Sequence, residues 1–308
     1  MSKIILITDS LFIFPEHEEL IRAAGYEIER LDKSEPSKEE LLSAIKGGVG
    51  YILGGIEHVD EEIIDAADEL KVISFTGIGY KDLIPAWEYA TKKGIAITNT
   101  PNAPTHAVAE WAVGAAIAMN RGFFELGRMG EKKFMTTKGI EGQDIGIIGL
   151  GRIGKHIAEM LVPFRPASIS YSSKHKHSDT GLTYKTLEKL LAESDILFVC
   201  VSKDAGKDFI GERELGLMKD RALLVSFMHH GIINADALLK ELEKGRIRAA
   251  SDNPAKNEAF KKLTLGTWYS FNGSNAFNTS MELKLTSDTA TKSLLNMFKT
   301  GTDQYKVN

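Results

Sequence analysis

Hydrophobic residues in the first hundred positions form short runs separated by stretches of helical periodicity. The runs have strand length and many β-branched residues, and they lie at residues 3–8, 51–53, 72–76 and 95–98. The stretches between them are predicted as helices, at residues 16–24, 37–45, 60–70 and 83–92. The second helix begins SKEE, which resembles a capping box, and Pro85 lies near the start of the fourth. Strands that alternate with helices in this way predict a parallel α/β sheet.

The same alternation resumes after a proline-punctuated break, TPNAPT, which is a candidate hinge. The helix that follows, HAVAEWAVGAAIAMNRG, is apolar around most of its circumference and must be buried. It is predicted either at a domain or subunit interface or within an ordinary core. Further strands are predicted at residues 145–148, 169–171, 195–201, 222–226 and 246–251, and further helices at 186–194, 234–244 and 279–299. The last of these is predicted to cross back to the first half of the chain.

One stretch of the second half, QDIGIIGLGRIGKHIAEMLVPFRPASISY, reads as strand, glycine turn, helix and strand. Gly149, Gly151 and Gly154 follow the G-x-G-x-x-G spacing, in which each glycine has its own physical role. The first permits a tight turn, the second lets the backbone approach a pyrophosphate, and the third allows close helix–strand packing. The helix start offers unpaired N–H groups to phosphates. The pattern predicts dinucleotide binding; the alternative is a glycine-rich turn that binds nothing.

Composition excludes several classes of function. The formal net charge of -4 does not favour binding to nucleic acid or to anionic membranes. The single cysteine, Cys200, lies in the apolar run ILFVCV, so it is predicted to be a buried hydrophobe rather than a nucleophile. The start of the chain turns polar too soon for a signal peptide, and no stretch has the length of a membrane span. We therefore expect a cytoplasmic protein with a small-molecule substrate.

Several segments in a fixed order resemble the D-isomer-specific 2-hydroxyacid dehydrogenase family. They are LKVISFTGIGYKDL, GIAITNTPNAPTHAVAEWAV, IGIIGLGRIG, LLAESDILFVCV and ELGLMKDRALLVSF. The resemblance implies two doubly wound, Rossmann-like parallel-sheet domains, with the cofactor domain inserted into the substrate domain. It places the active site in the cleft between the domains and implies a homodimer. We expect the substrate domain at residues 1–99 plus 283–308 and the NAD(P)-binding domain at residues 100–282.

The resemblance also assigns binding residues. The glycine turn Thr76-Gly77-Ile78 is similar to the family's substrate loop, whose backbone N–H groups hold a substrate carboxylate. Asp252 falls on the family's Asp-Val signature in the cofactor domain. The predicted cofactor-binding residues are Gly149, Gly151, Arg152, Ile153, Gly154, Ser172, Ser173, Lys174 and Asp252.

The end of the second strand of the glycine unit indicates which nicotinamide cofactor binds. An NAD site places a carboxylate there, to accept hydrogen bonds from the ribose hydroxyls. This chain has Ser172, followed by Ser173 and Lys174. The missing carboxylate and the nearby cations favour a ribose 2′-phosphate, so NADP is predicted, with NAD possible if the loop is weakly selective. His175 and His177 have no further ligand cluster, so no metal site is predicted.

The family's three catalytic side chains do not have matching residues. The arginine and the glycine after it fall on His229 and His230, the glutamate falls near Asn257, and the acid–base histidine falls on Ser274. A serine hydroxyl cannot serve unaided as a general acid near neutral pH, and a histidine lacks the bidentate fork of an arginine. The catalytic candidates are therefore His229, His230 and Ser274, with the imidazole as proton donor. His106 is a weaker candidate.

These substitutions leave two main interpretations of function. The first is an NAD(P)-dependent oxidoreductase with a rebuilt active site, which transfers hydride to or from a small carbonyl or hydroxy substrate. The second is a catalytically inactive, nucleotide-binding pseudoenzyme that acts as a sensor or scaffold. A purely structural partner is disfavoured, because packing does not by itself require three glycines at this spacing. Fold alone does not decide between them.

Overall fold

The computed structural model describes residues 3–101, 105–127, 134, 136–227, 231–253, 257–270 and 275–308. The chain divides into two compact units, one formed by Met1–Pro104 with Asn278–Asn308 and the other by Thr105–Phe277. Each unit contains one parallel sheet flanked by helices, as the alternation of strands and helices predicts.

The first unit is built on a five-stranded sheet with the strand order β2-β1-β3-β4-β5. The strands are β1 (Ile4–Thr8), β2 (Glu27–Leu31), β3 (Gly48–Leu53), β4 (Val72–Phe75) and β5 (Ala96–Thr98). The helices are α1 (Pro15–Ala23), α2 (Lys38–Ala44), α3 (Glu61–Ala66), α4 (Tyr80–Leu83), α5 (Trp87–Lys92) and α12 (Ser280–Thr300). All of the strand pairings are parallel.

The C-terminal helix α12 packs on the first sheet, as its pattern predicts. The Ser74 hydroxyl of β4 donates to the Ala290 carbonyl at 2.9 Å. A Cβ atom on Gly50 of β3 would lie 2.9 Å from the ring of Phe298, so this glycine lets the helix approach the sheet closely. Thr279 caps the helix by accepting the Glu282 N–H at 3.3 Å.

Two helix predictions in the first unit are wrong. Residues 83–92 form two short helices with Pro85 between them, because Ile84, at φ -118° and ψ 69°, leaves the helical region before the proline. The predicted helix 60–70 ends at Ala66, where the next residue leaves the helical region at ψ 85°.

Strand β2 was not predicted, because its charged sequence EIERL and its edge position leave no run of apolar residues to recognise. The capping box at Ser37 is confirmed.

The second unit contains a seven-stranded sheet with the order β12-β11-β10-β9-β6-β7-β8. The strands are β6 (Asp144–Ile148), β7 (Ser168–Ser172), β8 (Thr183–Tyr184), β9 (Ile196–Val199), β10 (Leu223–Ser226), β11 (Arg248–Ser251) and β12 (Trp268–Ser270). The helices are α6 (Thr105–Asn120), α7 (Phe123–Leu126), α8 (Arg152–Leu161), α9 (Leu187–Glu193), α10 (Glu212–Leu217) and α11 (Ala235–Glu243). Every pairing between these strands is parallel.

The apolar helix α6 is part of the core of the second unit. Ala109, Ala112, Ala116 and Met119 are buried in one cluster with the strands β6, β9 and β10 and with helix α8. Small side chains on this helix allow it to lie close to α8, and the burial explains why its sequence lacks a polar face. The core interpretation of this helix therefore holds for these residues, and a role at an interface stays a prediction. The strands β8 and β12 and helix α10 were not predicted, because they are short and carry little periodicity.

A buried polar cluster in the first unit leads to a stability prediction. The Glu57 carboxylate is 3% exposed, and its Oε1 accepts hydrogen bonds from the Thr8 hydroxyl and, at 2.6 Å, from the Tyr51 hydroxyl. Its Oε2 has no hydrogen-bond partner among the described residues. Burial and the neighbouring negative charge raise the pKa of Tyr51 well above its usual value, so the phenol remains protonated and donates.

We expect Tyr51→Phe to lower the free energy of unfolding by about 2 kcal/mol, because a buried carboxylate loses one of its two donors. Tyr171→Phe is the control. Among the described residues, that buried hydroxyl bonds only to the backbone of His177, so its loss should cost about 1 kcal/mol. Urea unfolding of the two variants measures both values. Equal losses would contradict the charged role of Glu57.

Candidate functional site

The glycine loop lies where the strand order of the second sheet reverses. Strand β6 pairs with β7 on one side and with β9 on the other, so the loop after β6 lies at a topological switch point. Ligands of open α/β sheets bind outside the carboxyl ends of the strands at such points. The sequence predicted this loop, and the sheet order now gives it the location that nucleotide binding requires.

Two of the three glycines are required by packing. Gly149 has φ +94°, and a Cβ atom there would lie 2.9 Å from the Cys200 carbonyl oxygen. A Cβ on Gly154 would lie 2.4 Å from the Gly149 carbonyl oxygen, so the third glycine lets α8 approach the loop. Gly151 differs, because nothing lies within 4 Å of its virtual Cβ. Open space beside this backbone is what the approach of a pyrophosphate needs.

The start of helix α8 offers backbone donors that could bind an anion. No side chain caps the helix, and its first internal hydrogen bond is made by the Lys155 N–H to the Gly151 carbonyl at 3.0 Å. The N–H groups of Ile153 and Gly154 therefore point out of the first turn without acceptors inside the helix. Together with the helix dipole, these donors fit a phosphate group.

The end of β7 carries the residues predicted to contact the ribose. The Ser172 carbonyl accepts the Gly149 N–H at 2.7 Å, which ties this strand end to the glycine loop. The Ser172 side chain is half-buried, and the Lys174 and His175 side chains are exposed. Among the described residues, neither Lys174 nor His175 makes an ion pair. The structure therefore brings the hydroxyl and cationic groups of this segment to the same sheet edge as the glycines.

Two further segments lie at this edge of the sheet. Cys200 and Val201, after β9, form the wall against which Gly149 packs, and sequence reasoning missed this role. Their apolar sequence carries no signal of this role, because it depends on the pairing of β9 with β6. Asp252, after β11, is 5% exposed, and its Oδ1 accepts the N–H groups of Asn275 and Ala276 at 2.8 and 3.0 Å. Burial raises the pKa of the Asp252 carboxyl.

The predicted substrate turn can be described within the first unit. The Gly77 carbonyl accepts the Thr100 N–H at 3.0 Å, and the Ile78 carbonyl accepts the Asn99 amide at 3.0 Å. Among the described residues, the N–H groups of Gly77 and Ile78 have no hydrogen-bond partner. The Thr76 N–H donates to the Leu53 carbonyl at 3.0 Å. Thr76 therefore does not offer the backbone donor expected of it, because the extension of β4 uses that group.

The proposed catalytic residues His229, His230 and Ser274 lie outside the described residues. The position expected for the glutamate is described. Asn257 caps a short helix by accepting the Ala259 N–H at 2.9 Å, and the Glu258 side chain is 80% exposed and pairs with Lys261. Neither side chain has the buried setting that tunes a catalytic carboxylate. His106 is exposed, and its ring contacts that of His156 at a centroid distance of 6.1 Å.

The single cysteine of the chain lies at this edge of the sheet. Burial raises the pKa of the Cys200 thiol, which therefore stays protonated and packs against the core as a hydrophobe. No group of three or more potential metal ligands is present in the described parts of the chain. In the same parts, no helix has the length and apolar character needed to cross a bilayer.

Comparison with known proteins identifies the family. The model of the D-isomer specific 2-hydroxyacid dehydrogenase NAD binding domain matches residues 113–265. The glyoxylate reductase of Thermococcus litoralis is 33% identical over 261 residues, which cover 77% of this chain and 78% of that protein. The glyoxylate reductase of Aeropyrum pernix is 34% identical over 256 residues, which cover 78% of this chain and 76% of that protein.

A solved structure has the same fold along the whole chain. The TT0316 protein of Thermus thermophilus superposes with a TM-score of 0.89 over 99% of this chain and 100% of that chain, at 23% sequence identity. The resemblance drawn from the sequence motifs is therefore confirmed. The chain belongs to the D-isomer specific 2-hydroxyacid dehydrogenase family and is an oxidoreductase that takes a nicotinamide cofactor.

Proposed function

We propose that this protein is an NADP-preferring reductase of small 2-oxo acids. The observation that carries the proposal is the open, uncapped glycine cradle at the switch point, with Ser172 and Lys174 in place of a carboxylate beside it. The relatives at 33% and 34% identity are glyoxylate reductases, which supports a substrate of that size and charge. NADPH, when bound, supplies hydride from its nicotinamide ring.

The residues near the end of β7 support the preference for NADP. A ribose 2′-phosphate needs hydrogen-bond donors and positive charge, and the Ser172 hydroxyl lies on the same segment as the Lys174 ammonium. The Ser173 hydroxyl donates to the His175 carbonyl, so it must give up that bond to contact the phosphate. The neighbouring Asp179 carboxylate pairs with Lys155 at 3.2 Å. Because Lys155 offsets the charge of Asp179, this carboxylate repels the 2′-phosphate less than an unpaired carboxylate would.

The remaining parts of the site are assigned by their chemistry. In residues 1–99 plus 283–308, the N–H groups of Gly77 and Ile78 hold the substrate carboxylate, while residues 100–282 bind the nucleotide. His229 or His230 gives a proton to the carbonyl oxygen as the carbonyl carbon accepts hydride, so that a 2-oxo acid becomes a 2-hydroxy acid. Ser274 assists by donating a hydrogen bond to that oxygen. The protein acts as a cytoplasmic homodimer.

A second candidate function is a nucleotide-binding pseudoenzyme that works as a sensor or scaffold. The observation that favours it is the glutamate position, where Asn257 caps a helix and Glu258 is exposed and paired to Lys261. A histidine without a buried carboxylate beside it lacks the group that sets its orientation and pKa in the family mechanism. Nucleotide binding does not depend on these residues and would persist without turnover.

The decisive experiment combines binding and turnover. Calorimetric titration with NADPH and with NADH measures the cofactor preference, and NADPH absorbance follows the reduction of glyoxylate and of a panel of keto acids, aldehydes and ketones. We expect NADPH to bind at least tenfold more tightly than NADH, and glyoxylate to be reduced. Binding without turnover on the whole panel would favour the pseudoenzyme. Turnover that survives both His229→Ala and His230→Ala would reject the imidazole as the acid.

A further inference from the structure

A cavity lies in the same unit as the glycine loop, at the opposite edge of its sheet. It has a volume of about 390 Å³. Arg221 precedes β10, Arg248 begins β11 and Thr267 precedes β12, so the amino ends of three neighbouring strands surround the cavity. The glycine loop lies at the carboxyl end of β6. The cavity is therefore separate from the nucleotide site.

The charged groups that line this cavity are mostly cations. Arg221, Arg248 and Lys138 face a single lining carboxylate, that of Glu125. A fourth cation lies next to the wall, because the Arg121 Nε donates to the hydroxyl of the lining residue Thr137 at 3.1 Å. Thr137 therefore keeps its own hydroxyl proton available for an acceptor in the cavity. The balance of charge and the supply of donors both favour an anion.

Arg248 is held in place but its charge is not neutralised. Its guanidinium donates to the Met119 carbonyl at 3.3 Å, to the Asn120 amide oxygen at 2.7 Å and to the Arg221 carbonyl at 3.4 Å. All of these acceptors are neutral. Burial and, after it, the positive charge of Arg221 lower the pKa of Arg248 against the smaller opposing effect of the Glu125 carboxylate, so two guanidinium groups share one lining carboxylate.

Arg221 supplies donors that no described residue uses. Its backbone is left-handed, at φ 64°, which turns its carbonyl toward Arg248. Its guanidinium makes no hydrogen bond or ion pair within the described parts of the chain. Lys138, across the cavity, likewise has no ion-pair partner there. A planar guanidinium fork and an ammonium group that face one cavity are the groups with which proteins bind phosphate.

We propose that this cavity is a binding site for a small phosphate-bearing metabolite, whose phosphate group contacts Arg221, Arg248 and Lys138. The three cations exceed the one lining carboxylate by two charges, which matches a phosphate dianion. The volume of about 390 Å³ is at the lower end of the range for ligand pockets, so the occupant is a small molecule rather than a polymer. The polar lining disfavours an apolar ligand. This inference does not depend on the reductase activity.

The test is a calorimetric titration of the full chain with inorganic phosphate in chloride buffer at constant ionic strength. Arg221→Gln removes one unpaired charge from the cavity. Arg165→Gln is the matched control, because Arg165 is also an exposed arginine of this unit with a left-handed backbone, at φ 54°. We expect the wild type and the control to bind phosphate equally and Arg221→Gln to bind at least tenfold more weakly. Phosphate bound at the glycine loop is unaffected by either change.

Lys138→Gln is a second variant, which serves if Arg221→Gln fails to fold, and it should also weaken phosphate binding. Equal affinity of all the variants would overturn the proposal, and so would the absence of phosphate binding to the wild type. A change of oligomeric state on Arg221→Gln, without a change in phosphate affinity, would also overturn it, because the cavity would then be a subunit contact. Size-exclusion chromatography of each variant measures that outcome.

Discussion

Gly151→Ala is expected to weaken NADPH binding by ten- to a hundredfold while it leaves the fold nearly as stable as before. Its new methyl group meets no protein atom within 4 Å, and φ -82° suits any residue. The free energy of unfolding should therefore change by no more than about 1 kcal/mol, the usual cost of alanine at a helix N-cap. The methyl occupies the space through which the backbone approaches the pyrophosphate, so binding loses about 1.4–2.7 kcal/mol.

Gly154→Ala should show the opposite balance of effects. Its Cβ would lie 2.4 Å from the Gly149 carbonyl oxygen, so α8 or the loop must move. Such overpacking costs about 1–3 kcal/mol of stability, and the displaced helix start weakens nucleotide binding as well. Gly216→Ala is the control, since that glycine lies within α10 and its Cβ would meet nothing, so the change should leave binding unaltered and raise stability by up to about 1 kcal/mol. Calorimetric titration and urea unfolding of the three variants separate the two effects.

The glycine interpretation would be wrong if Gly151→Ala bound NADPH as tightly as the wild type. It would also be wrong if Gly154→Ala unfolded at the same urea concentration as the wild type. The first result would remove the phosphate cradle from the site. The second would mean that the close contact with Gly149 is not a constraint on the fold.

Ser172→Asp is expected to reverse the cofactor preference. The 2′-phosphate of NADP carries close to two negative charges. A carboxylate at this half-buried position would repel the phosphate, and little water would be present to screen the repulsion. The same carboxylate would accept hydrogen bonds from both ribose hydroxyls of NAD. We expect the affinity for NADPH to fall at least tenfold, or about 1.4 kcal/mol, and the affinity for NADH to rise. Titration of each cofactor measures the change directly.

Ser172→Asn is the matched control for charge. The amide has nearly the shape of the carboxylate but no charge, so it should keep most of the affinity for NADPH. If Ser172→Asp and Ser172→Asn weaken NADPH binding equally, steric fit rather than charge sets the preference. If neither variant changes binding, the ribose phosphate lies elsewhere and the assignment of Ser172 fails.

The glycine part of the candidate site could be predicted because the proposed nucleotide binding uses a contiguous motif. Gly149, Gly151 and Gly154 and the start of α8 lie within one strand–turn–helix segment, so their spacing carries the function. The capping box at Ser37 is equally local, and it is confirmed. Residues brought in from other strands carry no such signal. Cys200, which forms the wall behind Gly149, is an ordinary apolar residue in the sequence.

The sequence by itself determined the alternation of strands and helices, the glycine cradle and the family, because each depends on residues close together in the chain. The tertiary structure decided what depends on long-range pairing. In it, the charged segment Glu27–Leu31 forms an edge strand, and the Thr76 N–H donates to the Leu53 carbonyl of β3. Lys138, Arg221 and Arg248 line one cavity. Hydrophobic periodicity records which face of an element is buried, and it carries no information about which distant segment covers that face.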